Sequence, residues 1–343
     1  MKIAVRFPGV ASAIAAVALA TLPAQARSQD CDRACLEGWL DSYLDALSKH
    51  DPSAVELADD VRFTANGQLL AIGDGVWRTF QARGNFEVTV VDVPAQQIAA
   101  ILTFVEDGPT PAGTGAALAV RLKVEDGRIT EIEQREEHSA ETFRLMEANG
   151  VRPSLTAVLP PEQRLTRAEL IATVNGYYSG IQRNDGRGTY PLAEDCHRIT
   201  SGRIATNNPT PPGETRPDPR TANGPSNQWS CREQFQSGLL HFVSRVRDRR
   251  VVAVDEERGL AFALSYFDHF AGDTRTFQTP DGRTVSVGPT YPFTWGISQV
   301  FKIEDALIQD IEGLEIEVPF GMTSGWSSWD DAMSDKIFNE TGN

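Results

Sequence analysis

The chain has 343 residues, a formal net charge of −15 and an apolar fraction of 41%. The apolar fraction supports packed cores, and the length suggests about two domains. A surface this acidic repels phosphate backbones and anionic lipid, so neither nucleic acid nor a membrane surface is an expected partner. A neutral or cationic small-molecule ligand meets no such barrier and is the expected partner. The sequence leaves a homodimer open.

Residues 1–26 have the layout of a secretory signal peptide. Lys2 and Arg6 precede a 13-residue apolar stretch, Val10–Leu22, and Ala24-Gln25-Ala26 is a small-x-small cleavage site. The alternative is a membrane anchor, but this stretch is shorter than the roughly 20 residues that span a bilayer. We therefore expect cleavage, a mature net charge of −17 after the loss of Lys2 and Arg6, no membrane association and a periplasmic or secreted location.

Four cysteines follow the predicted cleavage site: Cys31, Cys35, Cys196 and Cys231. An even number in an exported chain predicts two disulfides. Of the three pairings, we favour Cys31–Cys35 with Cys196–Cys231, because each bond then joins residues of one predicted domain. Helical i, i+4 spacing strains a disulfide, so Cys31 is expected just before a helix. The spacing does not suit a metal site, and neither a metal ion nor another cofactor is expected.

The chain contains a weak internal repeat, with four matching segments in the same order in residues 31–138 and 166–320. Each copy opens with an amphipathic helix, predicted over Leu36–Lys49 and Arg167–Arg183, because apolar residues recur three and four positions apart. A Thr-x-x-Glu capping box begins at Thr166 and marks the start of the second helix.

The other three matches lie in predicted strands. In each copy an acidic segment leads into a strand, and a later β-branched run ends in an aspartate, Asp92 or Asp255. The closest match pairs two hairpins, Leu122–Glu133 and Phe301–Glu312, in which alternating residues flank a short turn.

The pattern predicts an α+β protein with two tandem domains, each a curved antiparallel sheet wrapped around a helix to enclose a pocket. The predicted segments are a signal peptide at 1–26, a first domain at 31–150, a linker at 151–165, a second domain at 166–330 and a C-terminal tail at 331–343. Residues 204–228, rich in Asn, Pro, Thr and Gly, are expected to form a long surface loop.

Three segments of the first copy resemble SnoaL-like members of the NTF2-like superfamily. They are His50-Asp51-Pro52 after the helix, Val61-Arg62-Phe63-Thr64 with Asn66-Gly67 in the strand, and Gly127-x-Ile129-x-Glu131-Ile132-Glu133 in the hairpin. The resemblance implies that each copy is an NTF2-like cone. It does not imply a reaction, because that superfamily includes isomerases, cyclases, hydrolases, dehydratases, lyases and non-catalytic modules.

The mature chain also resembles a DUF8021-like family of secreted proteins that carry two such units in tandem. The shared features are Cys31 with Cys35-Leu36 at the start, the strand Asp195-Cys196-His197-Arg198 and the end Val318-Pro319-Phe320-Gly321. This resemblance implies a two-cone protein of unknown activity.

Enzymes with this fold typically use a carboxylate or histidine to move a proton and a polar side chain to stabilise an oxyanion. In the second copy the candidate catalytic residues are His197, Asp255, His269 and Tyr178, with Arg198 and Tyr177 as candidate substrate-binding residues. Structural roles compete with several of these: a turn for Asp255, a surface position beside a disulfide for His197, and packing near a strand end for His269.

In the first copy, Arg62 and Asn66 are candidate substrate-binding residues, since they alternate onto one face of a predicted strand with Thr64. An arginine in a pocket is able to bind a carboxylate through two parallel hydrogen bonds. The structural alternative is an ion pair between Arg62 and Asp60 or Glu133.

Two function classes follow. The first is an exported, cofactor-independent lyase, isomerase or hydratase that acts by proton transfer on a small, largely apolar organic molecule. The second is a non-catalytic binding or assembly module with the same fold. A buried proton-transfer cluster in either cone favours the enzyme, and cones filled by large apolar side chains favour the module.

Overall fold

The computed structural model describes residues 30–108, 113–334 and 336–338, together with Met1 and Ala4. The predicted cleavage site after residue 26 lies outside these ranges. The described chain has an α+β architecture with two similar halves. Within the described ranges, no helix combines the length and apolar character needed to cross a membrane.

The described residues contain five α-helices: α1 (Arg33–Ser48), α2 (Ala140–Asn149), α3 (Arg167–Arg183), α4 (Cys231–Ser237) and α5 (Trp329–Ala332). Local capping explains where the two long helices begin. The Asp32 side chain accepts from the Cys35 backbone N–H at the start of α1, and Thr166 and Glu169 form the predicted capping box at α3. The prediction that Cys31 lies just before a helix is confirmed.

The first half forms a six-stranded sheet with the spatial order β2-β1-β6-β5-β4-β3. Its strands are β1 (Leu57–Ala65), β2 (Gln68–Leu69), β3 (Phe80–Asp92), β4 (Gln97–Glu106), β5 (Thr114–Glu125) and β6 (Arg128–Glu137). Neighbouring strands are antiparallel except β1 and β6, which are parallel.

The second half forms a seven-stranded sheet with the order β15-β9-β10-β13-β14-β7-β8, and β11 and β12 form a separate hairpin. The strands are β7 (Leu192–Thr200), β8 (Arg203–Ile204), β9 (Arg245–Asp255), β10 (Leu260–His269), β11 (Thr276–Gln278), β12 (Thr284–Ser286), β13 (Phe293–Glu304), β14 (Leu307–Val318) and β15 (Ile337–Phe338). The strands β7 and β14 repeat the parallel pairing of β1 and β6. Sequence patterns missed α4 and the β11–β12 hairpin.

Each sheet packs its inner face on its own long helix and its outer face on the other sheet. The inner faces form two separate apolar cores, around α1 and around α3. A third core joins the outer faces and includes Val88, Ile101, Ala119, Val252, Phe262 and Val300. The two halves therefore share one continuous buried interface, in which apolar burial is the main stabilising term.

Two matching aspartates each accept hydrogen bonds from an arginine of the other half across this interface. Arg33 of α1 donates two hydrogen bonds, of 2.9 and 2.8 Å, to Asp255 at the end of β9. Arg167 of α3 donates to Asp92 at the end of β3. Each strand-end aspartate thus anchors the opening helix of the other half. At the centre, Arg250 donates to both carboxylate oxygens of the buried Glu133.

Both predicted disulfides are present, Cys31–Cys35 and Cys196–Cys231. The second bond links β7 to α4 and closes the long segment 205–230, which contains neither helix nor strand. Because a covalent link restricts the unfolded chain, it stabilises the fold and holds both ends of this loop.

Replacing Asp255 with Asn should destabilise the fold, because Arg33 loses its buried carboxylate partner and keeps only the more exposed Glu257. We expect a loss of about 1 to 3 kcal/mol in the free energy of unfolding, measured by urea denaturation. Asp74→Asn is the matched control, since the Asp74–Arg78 pair is exposed and should change stability by less than about 1 kcal/mol. An Asp255→Asn protein that keeps full stability would contradict this structural role.

Candidate functional site

The second half contains a cavity of about 340 Å³ between the inner face of its sheet, α3, α4 and the long loop. One end is apolar and is lined by Tyr177, Ile181, Leu240, Phe242, Val243, Phe267, Trp295 and Ile297. The other end is mostly polar and is lined by Arg198, Thr200, Ser201, Arg203, Ser226, Asn227, Gln234, Gln299 and Glu315, together with Ala205 and Pro225. This volume suits a small organic molecule with one oxygenated end.

Glu315 of β14 is the carboxyl group in the cavity wall. Burial raises its pKa to about 7, although the nearby Arg198 opposes the shift. A carboxyl group that titrates near neutral pH is able both to accept and to return a proton, which suits general acid–base chemistry.

Arg198 of β7 supplies positive charge beside Glu315. One of its terminal nitrogens donates a 2.6 Å hydrogen bond to Gln234 Oε1 on α4. The Gln234 amide nitrogen in turn donates to the carbonyl oxygens of Ala205 and Ser226, at 2.7 and 2.8 Å. Gln234 therefore fixes both the guanidinium group and the two ends of the loop. Arg198 Nε has no hydrogen-bond partner among the described residues.

Gln299 of β13 is a second polar group at this end. Its side chain is 4% exposed, and its Oε1 has no hydrogen-bond partner within the described ranges. A buried amide without a partner costs about 1–3 kcal/mol, so a ligand that pairs with it would gain affinity and specificity. No group of three or more His, Cys, Asp or Glu side chains in the described ranges is arranged to hold a metal ion.

The repeat places a second glutamate at the equivalent position of the first half. Thr64 faces Glu133 between β1 and β6, and Ile199 faces Glu312 between β7 and β14. Three residues after Glu133, the backbone N–H of Glu136 donates to Asn66 Oδ1 at 2.8 Å. Likewise the Glu315 N–H donates to Ser201 Oγ at 3.2 Å. The matched hairpins of the sequence repeat end at Glu133 and Glu312, three residues before these two glutamates, so neither was among the predicted site residues.

The interior around Glu136 is filled by large side chains. Trp77 and Tyr43 are buried and meet edge-on, with ring centroids 5.3 Å apart. The Gln134 amide donates a 2.9 Å hydrogen bond to the Tyr43 hydroxyl. Burial raises the pKa of Tyr43 well above its usual value, so this hydroxyl stays protonated. The first half thus keeps the carboxylate but fills the space that the second half leaves open.

A family described as "Domain of unknown function (DUF8021)" matches residues 29–135 and 163–314. The chain belongs to this family. The two matched regions correspond to the two halves, so the predicted tandem repeat is confirmed. No curated protein matches the sequence significantly.

The DUF8021 protein is also similar to a solved structure, AclR, a putative hydroxylase from Streptomyces galilaeus. The two are 13% identical, with 36% of this chain and 93% of AclR covered and a TM-score of 0.25. A likeness this weak carries no argument about fold or activity.

Two of the sequence-predicted residues of this family member line the cavity, namely Arg198 and Tyr177. Tyr178 lies behind the cavity wall, where its ring packs edge-on against Phe267 and Phe301. Burial raises the pKa of Tyr178 above its usual value. Tyr178 therefore belongs to the packed core rather than to the cavity surface.

His269 is buried in an aromatic cluster next to the cavity. Its ring stacks on Phe293 with centroids 4.5 Å apart and meets Trp295 edge-on at 4.3 Å. Neither ring nitrogen has a hydrogen-bond partner among the described residues. Burial lowers the pKa of His269 to about 4 although Asp268 opposes the shift. The imidazole is therefore neutral at neutral pH.

His197 and Asp255 do not converge with His269. Asp255 pairs with Leu260 at the turn between β9 and β10, and His269 lies nine residues along β10. At roughly 3.3 Å per residue, the two are about 30 Å apart. His197 does not line the cavity; its ring Nδ1 lies 3.4 Å from the Asn207 amide nitrogen. The hypothesis of one His–Asp cluster is therefore not supported by their placement.

Arg62 and Asn66 also lie outside the cavity. Arg62 donates to the Gly325 carbonyl oxygen and lies 4.4 Å from the Trp326 ring centroid, so its contacts are with the C-terminal segment rather than the expected Asp60 or Glu133. Asn66 has a positive φ of 50° and caps the backbone of Glu136. Both residues have structural partners.

A larger cleft, of about 540 Å³, lies between the long loop and residues 280–283. Two of its three arginines are already paired, Arg216 with Glu233 and Arg283 with Asp281. This cleft offers exposed ion pairs, whereas the smaller cavity holds the partly buried Glu315 with its raised pKa. The smaller cavity is therefore the better candidate for chemistry.

Replacing His269 with Phe should stabilise the protein, most of all in mild acid. The folded state holds His269 neutral, so the unfolded state binds more protons between the ordinary pKa near 6.5 and about 4, and stability is lost as the pH falls through this range. Phe removes this proton linkage and the two unpartnered nitrogens. We expect a gain of about 1–3 kcal/mol at pH 5 and a smaller gain at pH 8, measured by urea denaturation.

The matched control is His138→Phe, because His138 is half-exposed and its pKa is raised to about 9 by Glu136 and Glu106. That substitution should remove a favourable charge and destabilise the protein at pH 5. A His269→Phe protein that is less stable than wild type at pH 5 would contradict the neutral, buried state.

Proposed function

We propose that the protein is a cofactor-independent enzyme of the lyase, isomerase or hydratase type, with its active site in the cavity of the second half. The observation that carries the proposal is a carboxyl group, Glu315, whose pKa lies at about 7 in a largely apolar cavity beside an arginine. Desolvation of this kind is how proteins adapt a carboxylate to accept a proton from carbon near neutral pH.

The proposed reaction begins when the Glu315 carboxylate removes a proton from a carbon next to a carbonyl group. The C–H electron pair moves to form an enolate, and its negative oxygen lies against the Arg198 guanidinium. The protonated Glu315 then returns the proton to another carbon, which gives an isomer, or to a leaving hydroxyl group, which gives an unsaturated product and water. Protons and electrons balance without a further reactant.

The substrate should be a small molecule with an apolar or aromatic body and one oxygenated end. Aromatic side chains such as Phe242, Phe267 and Trp295 line the apolar end, where a ring would stack. The unpartnered Gln299 amide favours a substrate with a hydroxyl or carbonyl group near Arg198. Selectivity would then come from that polar pairing more than from cavity size.

We further propose that each half is an NTF2-like cone and that the protein works outside the cytoplasm. The order of helix, parallel strand and long antiparallel strands in both halves supports the first proposal. The two disulfides are compatible with an oxidising compartment. The filled interior around Trp77 favours a structural role for the first half. The site for the small-molecule ligand is then in the second half.

Proton exchange tests the proposal without knowledge of the natural substrate. Aryl ketones and β,γ-unsaturated cyclic ketones, incubated with the protein in D₂O, should lose their α-proton signals in ¹H NMR. Glu315→Gln should slow this exchange by about 10²–10⁴-fold, the usual contribution of a general base. The wild-type rate should rise with pH through about 7, since the reactive form of Glu315 is the carboxylate.

Glu317→Gln is the control, because Glu317 lies on the same strand but is exposed and accepts from the Tyr291 hydroxyl. It should exchange protons at the wild-type rate. If Glu315→Gln retains wild-type exchange on a compound that the protein turns over, the assignment of the base is wrong.

A further inference from the structure

The polar end of the cavity is held by the other half of the protein. The turn at Ser201-Gly202, between β7 and β8, lies on α2 of the first half. The Asn149 amide donates a 2.8 Å hydrogen bond to the Gly202 carbonyl oxygen. Gly202 has a φ of 72°, and a Cβ atom there would lie 2.6 Å from Leu145 Cβ. A larger residue would push the turn away from α2, so glycine permits this close contact.

A hydrogen-bond chain runs from this turn to the backbone of Glu315, whose carboxyl group is the proposed base. The backbone N–H of Glu315 donates to Ser201 Oγ at 3.2 Å. The Ser201 hydroxyl donates to Glu137 Oε2 at 2.7 Å, and the Thr142 hydroxyl donates to Glu137 Oε1 at 2.6 Å. Glu137 ends β6 of the first half, so one residue of the first half is tied to the strand that carries Glu315.

We propose that Glu137 is a positioning residue for Glu315, so that the active site of the second half is completed by a carboxylate of the first. The inference rests on the proposed role of Glu315 as the base. It also gives a reason for the tandem arrangement, because a separated second half would lack the charge and the hydrogen bonds that Glu137 supplies.

The charges that face Glu315 act in opposite directions. Arg198 on β7 and Arg203 on β8 favour the ionised carboxylate, whereas Glu137 on β6 disfavours it. Ser201 and Thr142 hold Glu137 in place, so its negative charge stays close to Glu315 instead of turning to solvent. A fixed like charge of this kind keeps a neighbouring carboxyl group protonated to a higher pH.

The test is the titration of Glu315 in the full chain, which needs no substrate. Glutamate labelled with ¹³C at the side-chain carboxyl is incorporated, and the Glu315 resonance is identified by its loss in Glu315→Gln. The wild-type midpoint should lie at about pH 7. Glu137→Gln should lower the midpoint by about half a pH unit or more, and Glu137→Asp, which keeps the charge, should restore most of the difference.

Ser201→Ala provides a second variant, which should also lower the midpoint because Glu137 loses the hydroxyl that holds it. The control is Glu162→Gln, which removes the same charge from an exposed linker position and should leave the midpoint unchanged. Wild-type midpoints in both Glu137→Gln and Ser201→Ala would overturn the inference. Failure of the proposed function would give a different result: proton exchange would persist in Glu315→Gln, whatever the midpoint of the Glu315 titration.

Discussion

The burial of two sheet faces against each other is the constraint on which the rest of the structure depends. Each half has one long helix to cover its inner face, so its outer face must be covered by the other half. The matched pairs Asp92–Arg167 and Asp255–Arg33 lie where each strand-end aspartate meets the opposite helix. Since a buried carboxylate needs a partner, these pairs fix the register of one half on the other.

Local sequence signals predicted the repeat, the long helices, the hairpins and the disulfide pairing. The capping box at Thr166 and the hairpin turns involve residues a few positions apart, so they are visible without the fold. The roles of Asp255 and His269 could not be read from local sequence, because they depend on distant partners. Arg33, for example, lies 222 residues from Asp255. Glu315 could have been found from the sequence, since extending the aligned hairpins by three residues pairs it with Glu136.

The two halves show how one position takes different roles in different surroundings. Glu136 and Glu315 occupy equivalent places, and each backbone N–H is capped by the turn after the first strand. In the first half, Trp77 and Tyr43 fill the interior beside this carboxylate. In the second half the same space is open, and the carboxyl group faces a cavity. A duplicated fold is able to keep one copy as a packed support while the other copy keeps a site.

The state of Glu315 follows from a balance that neither half sets alone. Removal from water raises its pKa, and Arg198 pulls the pKa down. If Arg198 were free to approach, it would form an ion pair and the carboxylate would lose its basicity. Gln234 holds the guanidinium, and the Cys196–Cys231 bond holds the helix that carries Gln234. Burial is the largest cause of the raised pKa of Glu315, and the restraint of Arg198 within the second half together with the charge of Glu137 from the first keeps that pKa at about 7.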